Sequence, residues 1–256
     1  MIKVLCLSGL DPSGGAGIQA DIEAIAASGA HALPVITCLT VQDTRNVYAN
    51  QPVAASWLAA QLDALMHDGP IDAVKIGLLG DISQLEPISA CLDRLQVPVV
   101  CDPVLRAGGG ASLADEALID AFKQRLLRRV TLLTPNASEA RRLGGSNSID
   151  EAAGRLLALG CRQVLVTGGD EAGDCVHNRW YRPGEQAVDY SWPRLPETFH
   201  GAGCTLASAL AARLAAGLAD AEAIASAQAW TQTALQQAYG VGGGRRIPNR
   251  IKEPRP

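Results

Sequence analysis

Nothing in this 256-residue chain pairs its cysteines. The seven of them, Cys6, Cys38, Cys91, Cys101, Cys161, Cys175 and Cys204, are scattered without a C-x-x-C spacing, which fits neither a zinc site nor a disulfide framework. They read as free thiols of a reducing compartment, most of them packed as small hydrophobes, and a cytoplasmic location is expected. Long apolar runs are lacking too. The most alanine-rich stretch, 207–219, is interrupted by Arg213 and Gly217, well short of the roughly 18 apolar residues a bilayer crossing needs. The first eight residues carry one cation, Lys3, and too short an apolar run for a secretory signal. Basic charge is not in excess either: 22 Lys and Arg against 26 Asp and Glu leave a net charge of −4, so neither nucleic acid nor an anionic membrane is an expected partner. Residues 9–17 have the G-x-x-x-x-G spacing without the Lys that follows it in a phosphate-binding loop, and they also fail G-x-G-x-x-G.

What is present is an alternating pattern. The chain is 48% hydrophobic, enough for one sizeable core, and one domain over 1–240 is expected. Short apolar runs at 3–8, 34–40, 73–76, 97–101, 130–133 and 164–167 read as buried strands, with amphipathic segments between them. In 53–67, for example, Val53, Trp57, Leu58, Leu62, Leu65 and Met66 fall on one helical face. Repeated strand, helix, strand implies parallel strands with right-handed crossovers and helices on both faces. Segments 176–181 and 186–190, joined by Arg182-Pro183-Gly184-Glu185, read as a hairpin. Residues 203–216 and 220–239 read as helices, and the Gly- and Pro-rich tail, 241–256, is expected to be poorly ordered.

In such a sheet ligands bind beyond the carboxyl ends of the strands, so the loops there carry the information. Ser8-Gly9-Leu10-Asp11-Pro12-Ser13-Gly14-Gly15-Ala16-Gly17 lets backbone N–H groups approach a ligand, or is only a tight turn. Gln42 offers an acceptor and two donors that match a ring nitrogen beside an exocyclic amine, unless it is merely solvated. Asp102 precedes Arg106 and the glycines 108–110, a combination suited to a metal or polar group under a flap, or to a plain surface loop. In Thr134-Pro135-Asn136-Ala137-Ser138-Glu139, Asn136 or Ser138 suits a helix cap, while Glu139 could stand near a hydrated Mg2+. His200-Gly201-Ala202-Gly203-Cys204-Thr205 is the most specific motif: glycines opening a small-residue helix aim free N–H groups at an anion, and the same field is expected to favour a Cys204 thiolate.

Together these motifs, with Gln42-Asp43-Thr44 and Lys75-Ile76-Gly77-Leu78-Leu79, resemble the hydroxymethylpyrimidine/phosphomethylpyrimidine kinase family, in order over 4–210. The resemblance implies a ribokinase-like α/β/α sandwich, ATP and Mg2+ as cofactors, two successive phosphorylations of 4-amino-5-hydroxymethyl-2-methylpyrimidine, and a homodimer. It places Gln42, Gly9, Asp11, Ala16 and Leu78 around the pyrimidine, Cys204 as proton acceptor and Gly201, Ala202 and Gly203 as an anion hole. Asn136, Thr167, Gly169 and Arg106 would contact the nucleotide, and Glu139 with Asp102 would organise the metal. Thr167-Gly168-Gly169-Asp170 departs from the family's Lys-Gly-Gly-His, and Leu78 stands where many members have Met. Competing expectations are a pyridoxal or pyridoxine kinase of the same superfamily and a non-catalytic pyrimidine sensor.

Overall fold

The computed structural model describes residues 1–105, 110 and 113–251. Its strands are β1 (Lys3–Leu10), β2 (His31–Gln42), β3 (Val47–Pro52), β4 (Ala73–Ile76), β5 (Val99–Cys101), β6 (Leu132–Leu133), β7 (Val164–Val166), β8 (Cys175–Tyr181) and β9 (Val188–Pro193). Among the described residues they form one nine-stranded sheet in the order β3-β2-β1-β4-β5-β6-β7-β8-β9. The six central strands run parallel, and antiparallel partners close both edges.

Strand alternation sorts the core into two layers. Leu5, Leu7, Val74, Ile76, Val99, Leu133 and Val164 point to one face, where α2 (Ala55–Asp68), α3 (Leu85–Arg94), α4 (Glu116–Arg125), α5 (Ala137–Gly144) and α6 (Ile149–Ala158) pack. Val4, Cys6, Ala73, Val100, Leu132 and Leu165 point to the other, against α1 (Gly17–Ala27), α7 (Ala202–Ala215) and α8 (Asp220–Gln236). The period-two register of each strand decides this partition. The result is the ribokinase-like sandwich that the motifs imply. α7 is buried nearly all round through Ala207, Ala209, Ala211 and Ala212; small side chains let its backbone lie close to the sheet.

Several expectations are corrected. β3 is invisible to hydrophobic patterning because Val47-Tyr48-Ala49-Asn50-Gln51-Pro52 is a mostly exposed edge strand, held by pairing with β2 rather than by burial. α2 begins at Ala55, so Val53 lies outside it; it buries Leu58 and Leu62 and leaves Trp57 70% exposed. No helix among the described residues is long and apolar enough to cross a membrane.

The tail differs most from expectation. Ile247 and Asn249 are buried, and the Arg250 side chain is completely so. The segment is tied to the body by reciprocal backbone bonds between Tyr239 and Ile247, and by Arg246 N to Thr198 O and His200 N to Arg246 O. Arg250 donates to Gly15 O at 2.5 Å, Thr205 Oγ1 at 2.8 Å and Glu23 Oε2 at 3.1 Å. A buried arginine keeps its position only when its donors are satisfied, and these partners lie in the β1–α1 loop, α1 and the first turn of α7. Residues 252–256 lie outside the described residues. Replacing Arg250 by Ala orphans these acceptors and is expected to lower the unfolding free energy by about 3 kcal/mol in urea denaturation; an unchanged midpoint would mean that the tail adds nothing to the fold.

Candidate active site

The first part of the site grows out of the end of β1. Gly17 has φ +58°, and a Cβ there would stand 2.2 Å from Gly9 O, so the chain can fold back over the strand only with glycine. Asp11, 3% exposed, fastens this loop: its carboxylate accepts from Ser13 N and Oγ, Ala16 N and His200 Nε2, each at 2.8 Å. Burial alone would raise its pKa, yet the His200 and Ser13 hydrogen bonds hold it below the ordinary value. Asp11 therefore organises the loop with both carboxylate oxygens already engaged. Gly9 lies against Cys38 and Leu78, which brings two of the expected pocket residues together. Gln42 stands at the end of β2 and donates Nε2 to Thr40 Oγ1 at 2.8 Å. One of its N–H groups orients the amide, and its oxygen with the second N–H remains for a ligand.

α7 opens beside that loop. Its N-cap, Gly201, has φ +86°, and a Cβ would lie within 1.9 Å of Gly15 O, so glycine is obligatory where the two loops touch. The first turn presents Ala202, Gly203 and Cys204, whose N–H groups have no partner within the helix. Gly203 approaches Asp102: an added Cβ would be 3.2 Å from its Oδ2. Cys204 is buried, and its thiol lies close enough to the Asp102 carboxylate and the backbone of Gly17 for each to influence its acidity or be influenced by it.

Beneath Cys204 lies a buried charge cluster. Lys75 and Asp21, both with fully buried side chains, are 2.7 Å apart. Asp21 also accepts from Ser8 Oγ at 2.5 Å and Ser208 Oγ at 2.7 Å, and Lys75 Nζ donates to Ser8 Oγ at 2.9 Å. Burial opposes the Lys75 charge, but Asp21, Cys204 and Asp102 together keep its pKa above the ordinary value. The expected thiolate is corrected: burial pushes the Cys204 thiol up to about 12, against the pull of Lys75 and the Gly17 hydrogen bond. Desolvation of the buried sulfur outweighs the helix N-terminus. Burial likewise lifts Asp102 to about 6, partly offset by Lys75.

The second part is assembled at the ends of β6 and β7. Asn136 and Thr167 are adjacent, joined by an isolated bridge and by Thr167 N to Pro135 O at 2.9 Å. Asn136 caps α5 by accepting from Glu139 N at 2.9 Å, while Glu139 Oε2 accepts from Asn136 N at 3.1 Å, a capping box. Glu139 Oε1 accepts from Leu105 N at 3.0 Å, and burial with the nearby Asp102 charge raises the Glu139 carboxyl to about 7. Gly169 is exposed in the loop after β7. Arg106 lies outside the described residues. Two buried carboxyls with raised pKa, the charge of Asp102 adding to the burial of Glu139, are a donor set that a hydrated Mg2+ relieves, so the chemistry fits that ion. Both Glu139 oxygens already accept backbone N–H bonds, which leaves Asp102 the freer ligand.

The description "Phosphomethylpyrimidine kinase" belongs to the family model that matches residues 11–249 of this chain. The chain belongs to the phosphomethylpyrimidine kinase family. It is similar to the hydroxymethylpyrimidine/phosphomethylpyrimidine kinase of Escherichia coli, 37% identical over 94% of this chain and 96% of that one. It is 41% identical to the thiamine biosynthesis bifunctional protein ThiED of Geobacter sulfurreducens, over 97% of this chain but 52% of the relative; the chain spans about half the length of that protein. Among solved structures it is similar to Bacillus subtilis pyridoxal kinase in an ADP complex, with TM-score 0.88, 29% identity and coverage of 98% and 97%.

In this member of the phosphomethylpyrimidine kinase family, the motifs include Lys75 without indicating its role, and they do not point to Asp21 or Arg250. A lysine inside the fully buried strand Ala73-Val74-Lys75-Ile76 was the available signal, since an unpaired cation is not left there. Asp170 was missed as well: its carboxylate accepts from Ala137 N at 3.0 Å and Ser138 N at 2.9 Å and so covers the start of α5. The raised Cys204 pKa has a direct consequence for thiol chemistry. Iodoacetamide at pH 8, followed by mass spectrometry, is expected to modify the exposed Cys175 first and to leave Cys204 largely intact; equal rates at the two positions would contradict the burial account.

Proposed function

We infer that this chain transfers the γ-phosphoryl group of ATP to the hydroxymethyl group of 4-amino-5-hydroxymethyl-2-methylpyrimidine, and then to the resulting monophosphate to form the diphosphate, in thiamine diphosphate biosynthesis. The observation that carries the reading is the buried Cys204 in the first turn of α7, where Gly203 lies against the Asp102 carboxylate and the buried Lys75 stands beneath. A substrate hydroxyl brought there meets N–H groups for phosphoryl oxygens and a thiol and carboxylate for its proton.

Phosphoryl transfer is mostly positioning and charge neutralisation. As the acceptor O–P bond forms and the bond to the departing ADP breaks, the hydroxyl proton passes to the Cys204–Asp102 pair, the thiol relaying it to the carboxylate. Gly201, Ala202 and Gly203 supply N–H groups to the transferred phosphoryl oxygens. Asn136, Thr167 and Gly169 serve the donor phosphates. Magnesium, when bound, would neutralise charge on the phosphates; Asp102 and Glu139 are the residues that would hold it, with Glu139 keeping the ion while Asp102 takes the proton.

Pyridoxine kinase activity is the second reading, favoured by the likeness to pyridoxal kinase structures. Gln42 speaks for the pyrimidine, because a ring without the amine leaves a desolvated amide group unpaired, at a cost of about 1–3 kcal/mol. ADP release is to be measured with each alcohol separately. Turnover of the pyrimidine is expected to dominate and to fall at least about a hundredfold in Cys204→Ala; turnover of pyridoxine alone would move the assignment to vitamin B6.

We further propose a cytoplasmic homodimer. Free cysteines support the compartment. The exposed apolar side chains Leu39 and Val41 on β2 and Tyr48 on β3 support a partner surface at that sheet edge. Val41→Glu is expected to shift the dimer toward monomer in analytical ultracentrifugation, and an unchanged mass would place the interface elsewhere.

A further inference from the structure

Residues 168–175, Gly168-Gly169-Asp170-Glu171-Ala172-Gly173-Asp174-Cys175, carry three carboxylates and no cation. On the reading above, this segment borders a polyanionic nucleotide, and the structure deals with its negative charge piece by piece. Asp170 is absorbed by the N–H groups that open α5, and Glu171 by the Arg141 guanidinium at 2.8 and 3.1 Å. The peptide carbonyls are gathered by a cation from outside the segment. Arg194, just beyond β9, donates Nε to Gly173 O at 2.6 Å, Nη1 to Gly169 O at 3.0 Å, and Nη2 to Glu171 O at 2.7 Å, Gly168 O at 3.4 Å and Cys175 O at 3.5 Å. Its own N–H bonds Asp174 O at 3.1 Å.

One guanidinium thus holds five carbonyls of a single loop. Each carbonyl so bonded is one whose negative end is neutralised instead of being offered to phosphate. The loop's other anchor is buried: Gly168 N donates to Asn178 Oδ1 at 3.0 Å, and Asn178 Nδ2 to Gln228 Oε1 at 2.7 Å. A Cβ on Gly168 would lie 2.3 Å from His177 O, so the root of the loop is fixed against β8, while Arg194 gathers the carbonyls beyond it. Those carbonyls include that of Gly169, two residues past Thr167.

We propose that Arg194 is a positioning residue for the donor nucleotide: it shapes the 168–175 segment so that Thr167 and Gly169 meet the phosphates. The proposal rests on the ATP reading above. The fork geometry is essential to it, because a lysine is a point charge with three donors and cannot span the same carbonyls.

The test is direct binding of a fluorescent ADP to the intact protein, followed by steady-state kinetics. Arg194→Ala and Arg194→Lys are expected to weaken nucleotide binding and raise KM for ATP by about tenfold, with KM for the alcohol changed less than about twofold. Guanidinium ion added to Arg194→Ala should recover part of the loss, and the lysine variant should not be spared. Nucleotide binding unchanged in both variants while the wild type binds normally would overturn the proposal alone. A fall in thermal stability with both KM values raised in parallel would overturn it in favour of a purely structural role. A wild-type protein that binds no adenine nucleotide would overturn the ATP reading and this proposal with it.

Discussion

A lysine and an aspartate buried together under the first turn of α7 constrain the rest of this molecule. Lys75 lies on the same face of β4 as Ala73, the face covered by α1 and α7, and it has no route to water. Asp21 must therefore come from α1, and Ser8 and Ser208 must fill the remaining lone pairs and protons. Losing either charge would leave the other uncompensated, at a cost of about 3–5 kcal/mol. That requirement fixes α1 and α7 relative to β1 and β4, and the Gly9–Gly17 loop and the Gly201–Cys204 turn are the outward ends of those same two helices. The charge is also chemically useful. Lys75 lowers the pKa of both Cys204 and Asp102 against the rise imposed by burial, so the ion pair that orders the scaffold also tempers the groups above it.

Segments late in the chain complete loops early in it. Arg250 bonds Gly15 O and Thr205 Oγ1, tying the Gly9–Gly17 loop to the first turn of α7, while Asp11 reaches His200 from the opposite direction. The two ties are redundant in purpose and different in chemistry, one through a carbonyl and a hydroxyl, the other through a carboxylate. Glycine is required at the contact itself, because Gly201 has no room for a Cβ beside Gly15 O. Two loops that touch backbone to backbone cannot shift independently, which is the preorganisation that an electrostatic site needs.

The amino-acid sequence made the architecture legible and the site partly so. β1, β4 and the helices beside them announce themselves through alternation and periodicity, because their burial is one-sided or complete. β3 does not, since its stability comes from backbone pairing to β2, which leaves no apolar pattern. The tail was misread for a related reason: glycine and proline suggest disorder, but a single fully buried arginine reverses the balance, and its partners lie more than two hundred residues away at Gly15 and Glu23. Cys204 was found as a position and misjudged as an acid. A helix N-terminus is visible in sequence, whereas burial of a sulfur is a property of the packed fold, and desolvation is the larger effect.

The same reasoning locates where substrate choice resides. The chain shares its fold with pyridoxal kinases at 27–29% identity and its family with pyrimidine kinases, so the sandwich and the anion-binding turn do not discriminate between the two rings. Discrimination has to come from groups that lose a partner when the ring changes. On the proposed pyrimidine reading Gln42 is such a group, because Thr40 Oγ1, itself bonded to Leu10 O at 2.7 Å, holds its amide in one orientation. A mobile glutamine could turn away from a ring that lacks the amine at little cost. One pinned through Thr40 to the backbone of β1 cannot, and that rigidity makes the difference in hydrogen bonding a difference in rate.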